Sequence, residues 1–152
     1  MNRRKGRILT VLIGLLLVFV WGNSLLPPKA SWAVSEAVKQ VITALFPGDG
    51  AASGASGYLS VLIRKLAHFT EFCILGILLR ARWSGRSREK ATPLFLALLV
   101  ALTDETIQAF TGRTSSVFDV WLDFFGAVTG WILIGIILRK RKLCIEGNEA
   151  KS

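Results

Sequence analysis

Nine of the polar or charged side chains between residue 64 and residue 123 are candidates for chemistry within or between apolar segments. They are Arg64, His68, Glu71, Asp104, Glu105, Gln108, Arg113, Asp119 and Asp123. The set contains what a reaction at a phosphate ester requires: guanidinium groups that bind phosphate oxygens, an imidazole that serves as base or nucleophile, and carboxyl groups that transfer protons. His68 is the only histidine in the chain, which makes it the first candidate for the reacting group.

Helical spacing groups these residues. At 100° per residue, Arg64, His68 and Glu71 lie at about 0°, 40° and −20°, on one face of a helix. Lys65 is expected to point elsewhere. On a later segment, carboxylates at 119 and 123 share a face with glycines at 126 and 130, and the glycines would let another helix come close.

The positions predict a role for each side chain. We expect His68 to act as base or nucleophile, with Glu71 and Asp104 as its orienting or proton-transferring partners. We expect Arg64 and Arg113 to bind phosphate oxygens, because a guanidinium group offers paired donors that lysine lacks. The residues that complete the pocket are Glu105, Gln108, Asp119 and Asp123.

A divalent metal ion is a second use of the same groups. His68 and the carboxylates of Asp104, Glu105, Asp119 and Asp123 are side chains that bind such ions. No spacing in the sequence requires a metal, and no other cofactor is indicated.

Four apolar segments must position these side chains. They cover about residues 8–28, 59–79, 93–110 and 117–138, and about 20 residues suffice for a helix to cross a bilayer. We therefore predict an all-α integral membrane bundle, a single domain over 1–152, with four transmembrane helices. The first segment is expected to be an uncleaved anchor, although 31–33 resembles a signal-peptide cleavage site.

The connection between the first two segments has two parts. Apolar residues recur at helical spacing from 34 to 45, which predicts a short amphipathic helix in the outer headgroup layer. The Gly-rich stretch from 47 to 57 is typical of a flexible linker.

Composition and charge exclude other classes. The chain is 52% hydrophobic with a mean hydropathy of +0.51, so an ordinary soluble domain is excluded. Its net charge of +9 comes from short basic clusters between apolar runs, so no nucleic-acid partner is expected. The clusters lie at the N-terminus, in the loop 80–90 and after residue 138, and all three fall on one side of four spans. By the positive-inside rule that side is the cytoplasm. We therefore expect a protein of the bacterial cytoplasmic membrane with both termini in the cytoplasm.

This orientation brings the polar residues to one depth. Spans two and four enter from outside with their polar residues first, and span three leaves with its polar residues last. Charged groups within spans face one another or water, because each costs about 2.5–3.5 kcal/mol at the bilayer centre. We predict an outward-facing pocket with Arg113 over it. The alternative is a salt-bridge network that only joins the helices, although apolar packing can replace such pairs.

With these residues in view, the chain resembles the VanZ-like family of small multi-span bacterial membrane proteins. The matching strings are RKLAHFTEF at 64–72 with Leu75-Gly76, TDE at 103–105 with Gln108, and Gly112-Arg113 followed by FDV at 118–120, Asp123 and Gly126. The resemblance covers about residues 59–138, and the first span adds little to it.

The resemblance implies a link to resistance against lipoglycopeptide antibiotics such as teicoplanin. It also implies a wider similarity to membrane enzymes that exchange or hydrolyse phospholipid head groups. The expected partners are membrane lipids or a lipid-linked cell-wall precursor, and the sequence does not specify an oligomeric state. Two alternatives stay open: a non-catalytic protein that binds lipid or antibiotic, and a proton-coupled transporter. Transport is disfavoured because the polar residues lie in one leaflet.

Overall fold

The described part of the chain is built from long helices. The computed structural model describes residues 3–27, 33, 36–38, 40–41, 44, 55–83, 91–113 and 115–149. Within these ranges the helices are α1 (Arg3–Ser24), α2 (Ala55–Trp83), α3 (Ala91–Phe110) and α4 (Val117–Glu149), and there is no strand. The prediction of an all-α fold is confirmed. The first helix ends at Ser24, ahead of Pro27 and Pro28, because prolines disfavour helical backbone in the preceding residue.

Three of the described helices are long and apolar enough to cross a membrane. They are Arg3–Ser24, Ala91–Phe110 and the Val117–Arg141 part of α4. Helix α2 has 29 residues, but Arg64, Lys65 and Glu71 make it too polar to qualify by hydropathy alone. The membrane character predicted from the sequence is therefore supported for three of the four segments.

Contacts at the helix ends give the relative directions of α1, α2 and α3. Arg82, near the end of α2, donates a hydrogen bond from Nε to Oγ1 of Thr10 near the start of α1, at 3.2 Å. Ser24, the last residue of α1, bonds to Asp104 in the last third of α3 at 2.6 Å. Helices α1 and α3 therefore run in one direction and α2 runs against both. We call the end with Asp104 the polar end and the end with Arg82 the basic end.

Helices α2 and α4 run parallel and form the most extensive helix pair. A Cβ atom on Gly126 would lie 2.6 Å from the carbonyl oxygen of Phe69, and one on Gly130 would overlap the carbonyl of Cys73. Gly76 of α2 meets the α4 backbone in the same way. Such contact is open only to glycine, and the predicted close approach at Gly126 and Gly130 is confirmed.

The apolar core lies between the two ends of the bundle. Its buried members are Val20, Phe72, Leu75, Leu79, Ala97, Ala101 and Ala127. Many large apolar side chains on the outside are exposed, including Val18 at 71% and Phe95 at 59%. An apolar exterior around a small core is typical of a helical bundle surrounded by lipid.

The segment between α1 and α2 is described only in part. Its described residues at 33, 36–38, 40, 41 and 44 are helical, and Ser60 of α2 donates a 2.6 Å hydrogen bond to Glu36. The rest of the predicted amphipathic helix and the linker before residue 55 lie outside the described residues, as does the basic loop at 84–90.

Candidate functional site

The structure brings all nine predicted site residues to the polar end. Helix α2 supplies Arg64, His68 and Glu71; α3 supplies Asp104, Glu105 and Gln108; the α3–α4 connection supplies Arg113; α4 supplies Asp119 and Asp123. Six of the nine are buried: His68, Asp104, Glu105, Gln108, Arg113 and Asp123.

Asp104 is the most buried of these residues, with 0% of its surface exposed. Its Oδ1 accepts a 2.6 Å hydrogen bond from Oγ of Ser24, and its Oδ2 accepts a 2.7 Å hydrogen bond from Nε2 of Gln108. Gln108 lies one helical turn after Asp104, so the second bond follows from i,i+4 spacing. Both carboxylate oxygens are thereby held in fixed positions.

His68 lies between two carboxylates. Its Nδ1 is 3.7 Å from Oδ2 of Asp104 and 3.8 Å from Oε2 of Glu71. These distances allow ionic attraction but exceed the length of a hydrogen bond. Neither ring nitrogen of His68, nor Oε2 of Glu71, makes a hydrogen bond with any described residue, and all three atoms are buried. Since buried polar atoms are normally satisfied, these atoms mark a place where a ligand or water fits.

Arg113 closes the polar end from the α3–α4 connection. Gly112, with a φ of 72°, turns the chain after α3, and Nη1 of Arg113 donates a 3.2 Å hydrogen bond to the carbonyl oxygen of Asn23. Burial, and secondarily the like charge of Arg64, lower the pKa of the Arg113 guanidinium, while the carboxylate of Asp104 opposes the shift. An arginine remains charged at neutral pH, so Arg113 is a buried cation close to the carboxyl groups of the polar end.

Glu105 fixes the start of α4. Its Oε2 accepts a 3.1 Å hydrogen bond from the backbone N–H of Ser116. Oγ of Ser116 in turn accepts a 3.2 Å hydrogen bond from the N–H of Phe118, as an N-cap residue does. The N-terminus of α4 is therefore held beside Glu105 of α3, and the first two turns of α4 place Asp119 and Asp123 at the pocket.

A family comparison covers nearly all of these elements. The family model described as VanZ/LLP1 matches residues 9–138, from α1 into α4. The chain belongs to the VanZ/LLP1 family. No curated protein and no solved structure matches the chain. The VanZ/LLP1 match also includes α1 and so extends beyond residues 59–138, where the motifs of the resemblance lie.

Helix α1 also supplies site residues that the sequence did not reveal. Ser24 bonds to Asp104, and the carbonyl oxygens of Asn23 and Ser24 accept hydrogen bonds from Arg113 and Thr111. The available signal was the polar Asn23-Ser24 pair that ends an otherwise apolar run. In this VanZ/LLP1 chain α1 is part of the site as well as an anchor.

The prediction for Lys65 is wrong. Lys65 forms an ion pair with Asp119 and lines the pocket, whereas its helical angle predicted that it would point elsewhere. At the polar end, α2 meets two neighbours on different sides: His68 lies beside Asp104 of α3, and Lys65 lies beside Asp119 of α4. The i,i+3 spacing of Lys65 and His68 was the signal that both can line one pocket.

The pocket itself is small. Its volume is about 20 Å³, which is room for about one water molecule or ion. The lining side chains are Arg64, Lys65, His68, Glu105, Gln108, Asp119, Leu122 and Asp123. A larger group would bind at the mouth of this pocket and direct only one of its atoms toward His68.

Proposed function

We propose that this VanZ/LLP1 protein modifies or hydrolyses the phosphate-containing head group of a phospholipid or a lipid-linked cell-wall precursor. The observation that supports this most is the environment of His68. Its ring nitrogens make no hydrogen bond with described residues, two carboxylates lie within 4 Å, and Arg64 lines the same pocket. A base beside two phosphate-binding cations is the arrangement that phosphoryl chemistry uses.

The residues divide the reaction between them. Arg64 and Arg113 bind the phosphate oxygens, and His68 takes the proton of the attacking hydroxyl, which is water in hydrolysis and an alcohol in exchange. The new P–O bond forms as the P–O bond to the leaving alcohol breaks. The leaving oxygen then takes a proton from the imidazolium of His68 or from Glu71.

Four crossings of the membrane are the topology that fits this role. Helices α1 and α3 end at the polar end, and α3 begins at the opposite end from it, so the chain has to pass back through α2. Charged residues of α2 are tolerated in such a crossing because Arg64 and Lys65 line the pocket with residues of α3 and α4, and Glu71 lies beside His68. Exposed aromatic side chains also ring the polar end at Tyr58, Phe110, Phe118 and Trp121. Aromatic belts of this kind lie at headgroup depth.

The polar end faces outward if the basic end is cytoplasmic, as the positive-inside rule requires. Single cysteines at Ser53 and Ser87, introduced after removal of Cys73 and Cys144, test the orientation. A membrane-impermeant maleimide should label Ser53→Cys and leave Ser87→Cys unlabelled in intact cells. Labelling of Ser87→Cys from outside would place the site on the cytoplasmic face.

Antibiotic resistance would be a consequence of this chemistry. A changed head group alters the membrane surface that the lipid tail of a lipoglycopeptide meets. Cells that express the protein should tolerate more teicoplanin than cells that express His68→Ala. Equal tolerance would separate the protein from this phenotype.

Head-group release by purified protein tests the activity. Full-length protein in liposomes is incubated with labelled phospholipids and lipid-linked precursors, and products are identified by mass spectrometry. The wild type should release head group, while His68→Ala and Asp104→Asn should not. Thr103→Ala is the matched control, because Thr103 precedes Asp104 but its hydroxyl bonds only to its own helix at Leu99.

The same assay contradicts the proposal if no lipid class yields product with the wild type. Lipid binding without turnover would favour the non-catalytic alternative. A transporter is the less favoured reading, because the described core between the two ends is apolar and provides no polar path.

A further inference from the structure

We propose that His68, Asp104 and Asp123 bind one divalent transition-metal ion. One potential ligand atom from each residue lies within 4.8 Å of those from the other two, and all three residues are buried. They come from α2, α3 and α4, so an ion at this point would be held by three different helices.

The side chain of His68 points to a ligand independently of the carboxylates. It is nine-tenths buried, yet neither ring nitrogen makes a hydrogen bond with a described residue. It lines the 20 Å³ pocket together with Asp123. An imidazole in this state has a lone pair directed into buried space, which a metal ion would occupy.

Asp104 has the hydrogen bonds that a metal-binding carboxylate requires. Ser24 holds its Oδ1 and Gln108 holds its Oδ2, at 2.6 and 2.7 Å. Each carboxylate oxygen keeps a second lone pair for a metal. Supporting bonds of this kind orient ligands in metal sites, and they also explain why two polar groups are buried around Asp104.

The charge of the polar end favours a dication. Among the described residues around the pocket, the charged side chains are the carboxyl groups of Glu71, Asp104, Glu105, Asp119 and Asp123 and the cations of Arg64, Lys65 and Arg113. Five carboxyl groups against three cations give this set a formal charge of −2 with His68 neutral. Asp123 is 1% exposed and within electrostatic range of the other four carboxylates. One divalent ion neutralises the excess.

The ligand set selects the kind of metal. Mg²⁺ and Ca²⁺ prefer oxygen ligands alone, whereas Zn²⁺ and Mn²⁺ bind imidazole together with carboxylates. Atoms bound to one tetrahedral ion at about 2.1 Å lie about 3.4 Å apart, so side-chain atoms up to 4.8 Å apart have to approach by up to about 1.4 Å. Three protein ligands leave a position open, as in catalytic metal sites.

The ion gives His68 a different part in the reaction. This statement about mechanism rests on the proposed head-group activity. A metal ligand cannot also be the base, so the ion would bind a phosphate oxygen and Glu71, whose Oε2 has no described hydrogen-bond partner, would take the proton. Metal binding itself does not depend on turnover and is tested separately.

The test measures metal binding by the full-length protein in detergent. The protein is stripped with a chelator, titrated with Zn²⁺ or Mn²⁺ in competition with an indicator dye, and analysed for bound metal. Wild type should bind one ion, and His68→Ala, Asp104→Asn and Asp123→Asn should each weaken binding by more than about 100-fold. Ser24→Ala should weaken it by about 10-fold, as loss of a supporting hydrogen bond does.

Glu36→Gln is the matched control, because it converts a carboxylate that bonds to Ser60 and does not line the pocket. It should bind one ion as the wild type does. Co²⁺ absorption of the wild type and of Asp123→Asn provides a second readout: the wild type should show the bands of a nitrogen- and oxygen-bound ion and the variant should not.

Two results would overturn the metal site: no stoichiometric ion in the wild type, or equal losses for Glu36→Gln and Asp123→Asn. Head-group release that persists after chelation would overturn the part of the ion in the reaction and would leave the proposed function intact. One bound ion with no release from any lipid would instead overturn the proposed function and support the metal site.

Discussion

Helices α2 and α4 form both the packed core and the polar end of the bundle, but their side chains make different contacts in the two regions. Between the ends, α2 and α4 meet through Gly76, Gly126 and Gly130, so closely that a Cβ atom would collide with the facing backbone. About two turns before Gly76 in α2, His68 is buried without a hydrogen bond to any described residue. The core packs apolar side chains and glycines, whereas the polar end buries ionisable groups, of which His68 and Glu71 have atoms without a hydrogen-bond partner among the described residues. We therefore expect stability to depend mainly on the core and the proposed chemistry to depend on the polar end.

The largest expected effect is on activity at the polar end. His68→Gln keeps a polar side chain of similar size but removes the imidazole, so head-group release should fall by about 10²–10⁴-fold. Thermal unfolding should change little, because His68 makes no hydrogen bond with described residues. A variant that is active, or that is inactive only because it is unfolded, would contradict the proposed role of His68.

The next effect is on stability in the core. Gly130→Ala places a Cβ against the carbonyl of Cys73 and forces α2 and α4 apart, which should lower the free energy of unfolding by about 2–3 kcal/mol. Gly14→Ala is the control, since a Cβ there meets nothing within 4 Å. Equal unfolding free energies for the two variants would contradict the packing of α2 against α4.

A smaller effect is expected where α1 meets the site. Ser24→Ala leaves Oδ1 of Asp104 without its donor and should lower the free energy of unfolding by about 1–2 kcal/mol. Thr103→Ala, whose hydroxyl bonds within its own helix, should change it by less than about 0.5 kcal/mol. If the two variants unfold alike, α1 is an anchor and not part of the site.

The smallest effect is at the exposed edge of the pocket. Lys65 and Asp119 form an ion pair with side chains 42% and 22% exposed, and exposed pairs contribute at most about 1 kcal/mol. A double-mutant cycle with Lys65→Met and Asp119→Asn should give a coupling energy below that value. A coupling above about 3 kcal/mol would mean that the pair is a structural element comparable to the core.

The sequence predicted what depends on local spacing. Long apolar runs predicted the four helices, and the period of α4 predicted the close approach at Gly126 and Gly130. These follow from helix geometry, which is the same in every protein.

The sequence did not predict what depends on how helices are arranged around one another. The bond from Ser24 to Asp104 joins residues 80 positions apart, and one hydroxyl at the end of an apolar run leaves no periodic pattern. Lys65 was assigned to the wrong side because one helical face was considered, while α2 packs against both α3 and α4. Family membership was recognised from the motifs in 59–138, but its extension to residue 9 required the match over α1.

The most direct test of the account measures unfolding and head-group release on the same samples of His68→Gln and Gly130→Ala. We expect the two variants to differ in opposite ways in unfolding and in head-group release. His68→Gln should unfold like the wild type and release no head group, whereas Gly130→Ala should unfold more easily and remain active per folded molecule. Full activity of folded His68→Gln would contradict the central claim that the polar end carries the chemistry.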